Sequence, residues 1–122
     1  MSELRYTVEE ANELLPALGK MLERLRDAQR VMSERHDEVM EATTHNGGGG
    51  AGKEYLEASQ EAGRVGVEIQ QLGIVVRDPE AGLIDFPSER EGEEVYLCWR
   101  LGEDAVAWWH PTDTGFSGRR PL

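Results

Sequence analysis

The chain has 122 residues, which suits one domain with a hydrophobic core. Its 24 acidic residues outnumber its 13 basic residues, and the formal net charge of −11 argues against binding to nucleic acids or anionic membranes. The single cysteine, Cys98, excludes an intrachain disulfide, and no apolar run approaches the roughly 20 residues that span a bilayer, so we expect a cytoplasmic protein with residues 1–122 in one domain.

A long amphipathic helix is predicted to begin after Thr7. The sequence Thr7-Val8-Glu9-Glu10 has the pattern of a capping box, in which the Thr7 hydroxyl accepts from an unpaired amide and the Glu10 carboxylate accepts from the Thr7 amide. Apolar residues then recur at alternating spacings of three and four, which predicts a heptad seam of Val8, Ala11, Leu15, Leu18, Leu22, Leu25, Met32 and Val39. Pro16 predicts a kink, and Asn46-Gly47 predicts the end of the helix.

A shorter second helix is predicted after a flexible connector at residues 47–52. Its seam consists of Tyr55, Ala58, Ala62, Val65, Ile69 and Leu72. Gly63 and Gly66 interrupt this seam, and we expect them to allow the close approach of another helix. Because a short connector joins the two helices, residues 7–73 are predicted to form an antiparallel helical hairpin.

The two predicted helices differ in length, roughly 37 residues against roughly 20. The second helix therefore cannot cover the whole seam of the first. The β unit can cover the part before Pro16, and we expect a second subunit to cover the rest. The sequence thus predicts a homodimer or a larger homo-oligomer formed through the helices.

Beyond Gly73 the apolar period changes to near two, which indicates strands. The first hairpin is predicted at residues 74–77 and 83–86, a polar loop at 87–94, a second hairpin at 95–101 and 105–110, and an irregular tail over the sheet at 111–122. The predicted fold class is therefore α+β: a long antiparallel helical hairpin followed, in residues 74–122, by a small antiparallel sheet of about four strands.

The register of the second hairpin decides which of its side chains meet. A two- or four-residue loop puts His110 on one face with Val95, Leu97 and Trp99, so that Cys98 points away from it and the two cannot share a site. A three-residue loop at Gly102-Glu103-Asp104 reverses the parity and puts Cys98 beside Trp108. We favour the first register because it turns the most apolar row inward.

One apparent motif is rejected. Residues 47–53 match the pattern of a phosphate-binding loop, but Glu54 stands where the pattern requires Ser or Thr to ligate Mg²⁺. The loop also follows a polar helix instead of a buried strand.

Several short phrases carry a family resemblance. They are Gly82-Leu83-Ile84-Asp85-Phe86-Pro87, Leu97-Cys98-Trp99, Gly102-Glu103, Trp109-His110 and Gly115-Phe116-Ser117-Gly118-Arg119, with Glu9-Glu10-Ala11-Asn12 and Leu14-Leu15-Pro16 near the start. Through them, nearly the whole chain resembles the bacterial and archaeal family named domain of unknown function 2203. Members often have Lys where this chain has Arg77, which keeps the charge. The resemblance implies a small prokaryotic cytoplasmic protein and supplies no activity, substrate or site.

The leading functional hypothesis is a homo-oligomeric interaction or ligand-binding module without catalysis or a cofactor, because the sequence contains no complete catalytic constellation. The candidate ligand-binding residues are Trp99, as the floor of a pocket, and Arg119, as an anion-binding group. The competing interpretation is that Trp99 belongs to the core and that Arg119 pairs with a nearby acidic residue.

Two alternatives use the polar residues of the C-terminal third. A metal site could consist of Asp85, Glu103, His110 and Asp113, whose oxygen donors and one imidazole suit Zn, Mn or Fe. A hydrolase could use His110 as the general base and Arg119 as an anion clamp. Against both, His110 can be a structural histidine bonded to Asp85 or Asp113, and Cys98 a small buried hydrophobic residue.

Overall fold

The computed structural model describes residues 4–44 and 49–122. Helix α1 (Val8–Thr44) and helix α2 (Gly49–Gln71) form a hairpin, and five strands follow: β1 (Val75–Asp78), β2 (Leu83–Arg90), β3 (Glu93–Arg100), β4 (Trp108–Pro111) and β5 (Arg120–Pro121). The strands form one antiparallel sheet in the order β1-β2-β3-β4-β5. The predicted α+β fold is confirmed. The sheet has one strand more than expected, because the tail supplies β5 after a 3₁₀ turn (Phe116–Gly118).

Helix α1 begins as the sequence predicts. The Glu10 amide donates to the Thr7 hydroxyl oxygen over 3.1 Å, and the Thr7 amide donates to the Glu10 carboxylate over 2.9 Å. These two bonds satisfy amides that the first turn leaves without a partner, so the predicted capping box is confirmed. The helix continues through Pro16. Neither helix in the described part of the chain is long and apolar enough to cross a membrane.

Helix α2 begins earlier than predicted, at Gly49, so residues 49–52 of the expected connector are helical. The rest of that connector and the predicted end of α1 at Asn46-Gly47 lie outside the described residues. A Cβ added at Gly63 or Gly66 would meet no atom within 4 Å. Within the described chain these glycines therefore do not serve the close approach of a second helix, contrary to the expectation.

The seam of α1 is buried within one chain further than the sequence suggested. One continuous core joins α1 and α2 to the inward face of the sheet, and its members are Ala11, Leu15, Leu18, Leu22, Leu25, Val65, Ile69, Ile74, Ile84, Phe86, Leu97, Trp99 and Val106. The seam of α1 is thus buried within one chain as far as Leu25, well beyond Pro16. After Ala28 no described side chain of α1 is buried, and Met32 and Val39 are partly exposed.

Residues 87–94 form a hairpin, so the predicted polar loop is wrong. Strand β2 continues through Pro87 to Arg90, and β3 starts at Glu93. Between them Glu91 and Gly92 both have positive φ, 53° and 83°, as a tight two-residue hairpin turn requires. The Pro87 carbonyl accepts the Tyr6 amide over 2.8 Å. Its backbone therefore points away from β3, and the missing proline amide removes no bond from that ladder.

The segment before α1 is fastened to the same edge of β2. The Ser88 hydroxyl donates to the Tyr6 carbonyl over 2.6 Å, and the Arg5 guanidinium contacts the carboxylates of Glu89 and Glu94 at 2.9 Å each. The Tyr6 ring packs edge-on against Phe86, with ring centroids 5.6 Å apart. These contacts fix the start of α1 over the inward face of the sheet.

Candidate functional site

The β3–β4 ladder has the register that the sequence analysis did not favour. Cys98 pairs with Trp108, and Tyr96 pairs with His110. The apolar row did not predict the register because Val106 lies in the connection between β3 and β4, not in β4, and is buried there. The Val106 amide donates to the Asn12 side chain of α1 over 2.8 Å, which fixes Val106 in the core. The parity of β4 therefore does not depend on Val106.

This register brings three chemically different side chains together. Asp85 pairs with Cys98 across β2 and β3, and His110 lies on the same face of the sheet, opposite the helices. Each of the three residues is 1% exposed. One carboxylate oxygen, the thiol sulfur and one imidazole nitrogen all lie within 4.8 Å of one another. We call these three residues the Asp85–Cys98–His110 cluster.

Two hydrogen bonds fix the His110 ring. Nδ1 lies 2.8 Å from the Pro111 carbonyl oxygen, which can only accept, so Nδ1 carries a proton. Nε2 then points at Asp85 Oδ2, 3.0 Å away. The structural interpretation of His110 as a histidine bonded to Asp85 is confirmed. The same arrangement, with one nitrogen anchored on a backbone carbonyl and the other directed at the site, is typical of histidines that ligate metals.

Arg77 is the charged partner of Asp85. Its Nε donates to Asp85 Oδ2 over 2.8 Å, while its side chain remains 44% exposed. The guanidinium carbon lies 5.0 Å from the centroid of the Tyr96 ring, and that ring lies 5.5 Å from the His110 ring. The second oxygen, Asp85 Oδ1, is buried and has no hydrogen-bond partner among the described residues. A carboxylate oxygen in that position has room in its coordination for one more positive group.

Burial decides the state of Cys98. Loss of solvent around the thiol, with a smaller effect of the Asp85 charge, raises the pKa of Cys98 to about 12. At neutral pH the side chain is therefore a protonated and unreactive thiol. A metal ion would stabilise the thiolate and remove that proton.

Of the four predicted metal ligands, the structure brings only Asp85 and His110 together. Glu103 instead accepts from Arg119 Nη2 through both carboxylate oxygens, each at 2.9 Å, and from the Arg100 amide at 2.7 Å. Asp113 is exposed and lies outside the Asp85–Cys98–His110 cluster. The third member of the cluster is Cys98 instead of either of these two carboxylates.

The two predicted ligand-binding residues have structural partners. Trp99 is buried among the helix-facing core residues, and its Nε1 donates to the Glu103 carbonyl over 3.1 Å. The Arg119 guanidinium lies between the Trp108 and Phe116 rings, 4.9 and 4.7 Å from their centroids, and binds Glu103. The expectation that Arg119 pairs with an acidic residue is confirmed, and Trp99 points away from the cluster.

Sequence reasoning missed Cys98 and Arg77 as members of the site. The one signal that could have found Cys98 was the three-residue loop, the alternative that places it beside Trp108. No periodicity links Arg77 to Asp85, because the register of β1 on β2 shifts between Val76 and Asp78.

Comparison with known proteins gives one match. The family model described as "Uncharacterized conserved protein (DUF2203)" matches residues 5–122. No curated protein and no solved structure matches the chain.

Proposed function

The chain belongs to the DUF2203 family, and we propose that its function is to bind one divalent transition-metal ion, without catalysis, through Asp85, Cys98 and His110. One observation carries this proposal: three buried ligand atoms of three types converge within 4.8 Å, beside a carboxylate oxygen that has no hydrogen-bond partner in the described part of the chain. We place the protein in the cytoplasm, where reducing conditions keep Cys98 as a thiol.

The distances suit a tetrahedral ion after small shifts. Around zinc, a thiolate sulfur, an imidazole nitrogen and a carboxylate oxygen lie roughly 3.3 to 3.6 Å from one another. His110 Nε2 and Asp85 Oδ2 are already 3.0 Å apart. An ion placed against the cluster would therefore need movements of only about 1 Å from these side chains.

The donor set narrows the choice of ion. A thiolate and an imidazole favour Zn²⁺, or Fe²⁺, over Mn²⁺, which prefers oxygen ligands. The Pro111 carbonyl, which anchors His110 Nδ1, supplies the outer contact that orients a histidine ligand. Because all three ligand residues are 1% exposed, a substrate cannot reach an ion bound between them, which supports binding without catalysis.

The first prediction concerns metal affinity. Purified without an affinity tag, the protein should bind one Zn²⁺ per chain in competition with a chromophoric chelator, and Co²⁺ should produce a thiolate charge-transfer absorption. Cys98→Ser should weaken Zn²⁺ binding by at least about 100-fold and abolish that absorption, since a ligand contributes more than an outer-shell partner. Cys98→Ala provides a second variant if the serine protein does not fold by circular dichroism.

Asp113→Asn is the matched control. It removes a charge from an exposed carboxylate that the sequence analysis had placed in the site, so Zn²⁺ affinity should not change. Equal binding by the wild type and a folded Cys98 variant would refute the proposal, as would a wild type that takes up no Zn²⁺ at micromolar concentration.

A second proposal, self-assembly through the helical hairpin, rests on a separate observation. Beyond Ala28, the described part of α1 buries no side chain, and Leu56 at that end of the hairpin is 57% exposed. A second copy of the chain would cover this distal part of the seam. We therefore propose a homodimer or larger homo-oligomer formed through the distal hairpin.

Sedimentation velocity tests the assembly. The wild type should sediment as a dimer or larger species at micromolar concentration, and Leu56→Glu should shift it towards the monomer because a charge cannot be buried in an apolar interface. Leu122→Glu, an equal change at another exposed leucine, should leave the sedimentation coefficient unaltered. A monomeric wild type would rule the assembly out.

A further inference from the structure

The geometry points to a second role at the proposed metal site: Arg77 competes with the metal ion for the Asp85 carboxylate and so controls both affinity and loading. This role rests on the proposed function. Three observations support it: Arg77 bonds to Asp85 Oδ2, it carries a positive charge, and its side chain is partly exposed to solvent.

Arg77 binds the carboxylate oxygen that also faces the histidine. Its Nε lies 2.8 Å from Asp85 Oδ2, and His110 Nε2 lies 3.0 Å from the same atom. An ion placed between Asp85 and His110 therefore shares its carboxylate ligand with a guanidinium. Since the Asp85 carboxylate between the two cations is 2% exposed, water at the exposed side of Arg77 screens their repulsion only in part.

Arg77 is also the mobile member of this arrangement. It lies on β1, an edge strand of the sheet, and 44% of its side chain is exposed. The three ligand residues are each 1% exposed. Rotation of the Arg77 side chain into solvent removes a direct partner of Asp85 and opens the carboxylate to an approaching ion, whose charge then replaces that of the guanidinium.

Tyr96 gives Arg77 a defined resting position. The guanidinium carbon lies 5.0 Å from the Tyr96 ring centroid, within the range of a cation–π contact. The Tyr96 ring in turn lies 5.5 Å from the His110 ring. Arg77, Tyr96 and His110 thus form a row of successive contacts, with the two rings tilted by 41°, and in this position the guanidinium neutralises the buried charge of Asp85.

If Arg77 only oriented Asp85, its substitution would change metal affinity in the opposite direction. A hydrogen-bond donor that merely orients a ligating carboxylate strengthens metal binding, and its loss weakens binding 10- to 100-fold, in round terms. A competing cation weakens metal binding, and its loss strengthens it. The sign of one substitution therefore distinguishes the two roles.

The experiment compares three variants of the full chain. Zn²⁺ affinity is measured by chelator competition, and the rate of Co²⁺ loading by stopped-flow absorption. Arg77→Gln should bind Zn²⁺ at least about tenfold more tightly than the wild type and load Co²⁺ faster, because it lacks the competing charge. Arg77→Lys keeps the charge and should stay within about threefold of the wild type.

Arg90→Gln is the matched control, since it also removes one positive charge stacked on an aromatic ring, here Trp109 at 4.9 Å. It should change neither affinity nor rate. Equal or weaker Zn²⁺ binding by a folded Arg77→Gln protein would overturn the competing role. The proposed metal site is still supported in that case if Zn²⁺ binding by the wild type depends on Cys98. Zn²⁺ binding that does not depend on Cys98 refutes the site itself.

Discussion

Replacing His110 by alanine should lower the free energy of unfolding by about 2–5 kcal/mol, the range for truncating a large buried side chain. The substitution removes a buried ring and leaves the carboxylate of Asp85 with Arg77 alone. It also leaves the Pro111 carbonyl without the donor that now lies 2.8 Å away. Urea denaturation followed by tryptophan fluorescence measures the loss, in the presence of a metal chelator so that metal binding does not contribute.

His36→Ala is the matched control for this experiment. The His36 side chain is 53% exposed on α1, and its one described contact is with the neighbouring Asp37 at 3.4 Å. Its replacement should change stability by less than about 0.5 kcal/mol. If the two histidine variants lose the same stability, the Asp85–His110 contact does not stabilise the fold as described.

Leu18→Ala should cost about 2–5 kcal/mol, the range for truncating a fully buried leucine. Leu18 is 0% exposed and belongs to the core that joins α1 to the sheet. The loss combines the transfer of the removed methyl groups to water with the cavity that remains in a core fixed from both sides. Urea denaturation at low protein concentration measures it in the single chain.

Met32→Ala tests the same seam in the part of α1 beyond Ala28. Met32 is partly exposed, so the expected loss in the single chain is about 1 kcal/mol. If a second copy covers the distal hairpin, the loss should grow with protein concentration, because assembly then contributes to stability. A Met32→Ala loss equal to that of Leu18→Ala at low concentration would contradict the division of the seam at Ala28.

The helices could be predicted well because their signals are local. A capping box and a seam spaced by threes and fours depend only on neighbours within one or two turns, so Thr7, Glu10 and Leu18 have the roles that the sequence assigns. It was harder to predict which parts of the chain bury the seam of α1. The burial of the seam as far as Leu25 depends on contacts between distant parts of the chain, which periodicity does not reveal.

The β unit shows where local signals mislead. Pro87 and the polar residues after it are typical of a loop, yet the segment pairs with β3 as a strand, and the edge of Pro87 that faces away from β3 bonds to Tyr6. The predicted register of β4 was wrong for a related reason. Val106 lies before β4, and its bond to Asn12, which is distant in sequence, holds it in the core. Since a shift of one residue exchanges the two faces of a strand, the wrong register also hid the meeting of Cys98 with His110.

The attachment of Tyr6 to β2 also has a consequence for biosynthesis. Tyr6 and Ser88 are 82 residues apart, so at common translation rates roughly 4–16 s separate the synthesis of the two partners. During that interval the hairpin of α1 and α2, whose contacts are nearer in sequence, is made without its β cover. The part of the apolar side of α1 that α2 does not cover is then open to solvent or to a chaperone, and newly made chains should be most prone to aggregation at this stage.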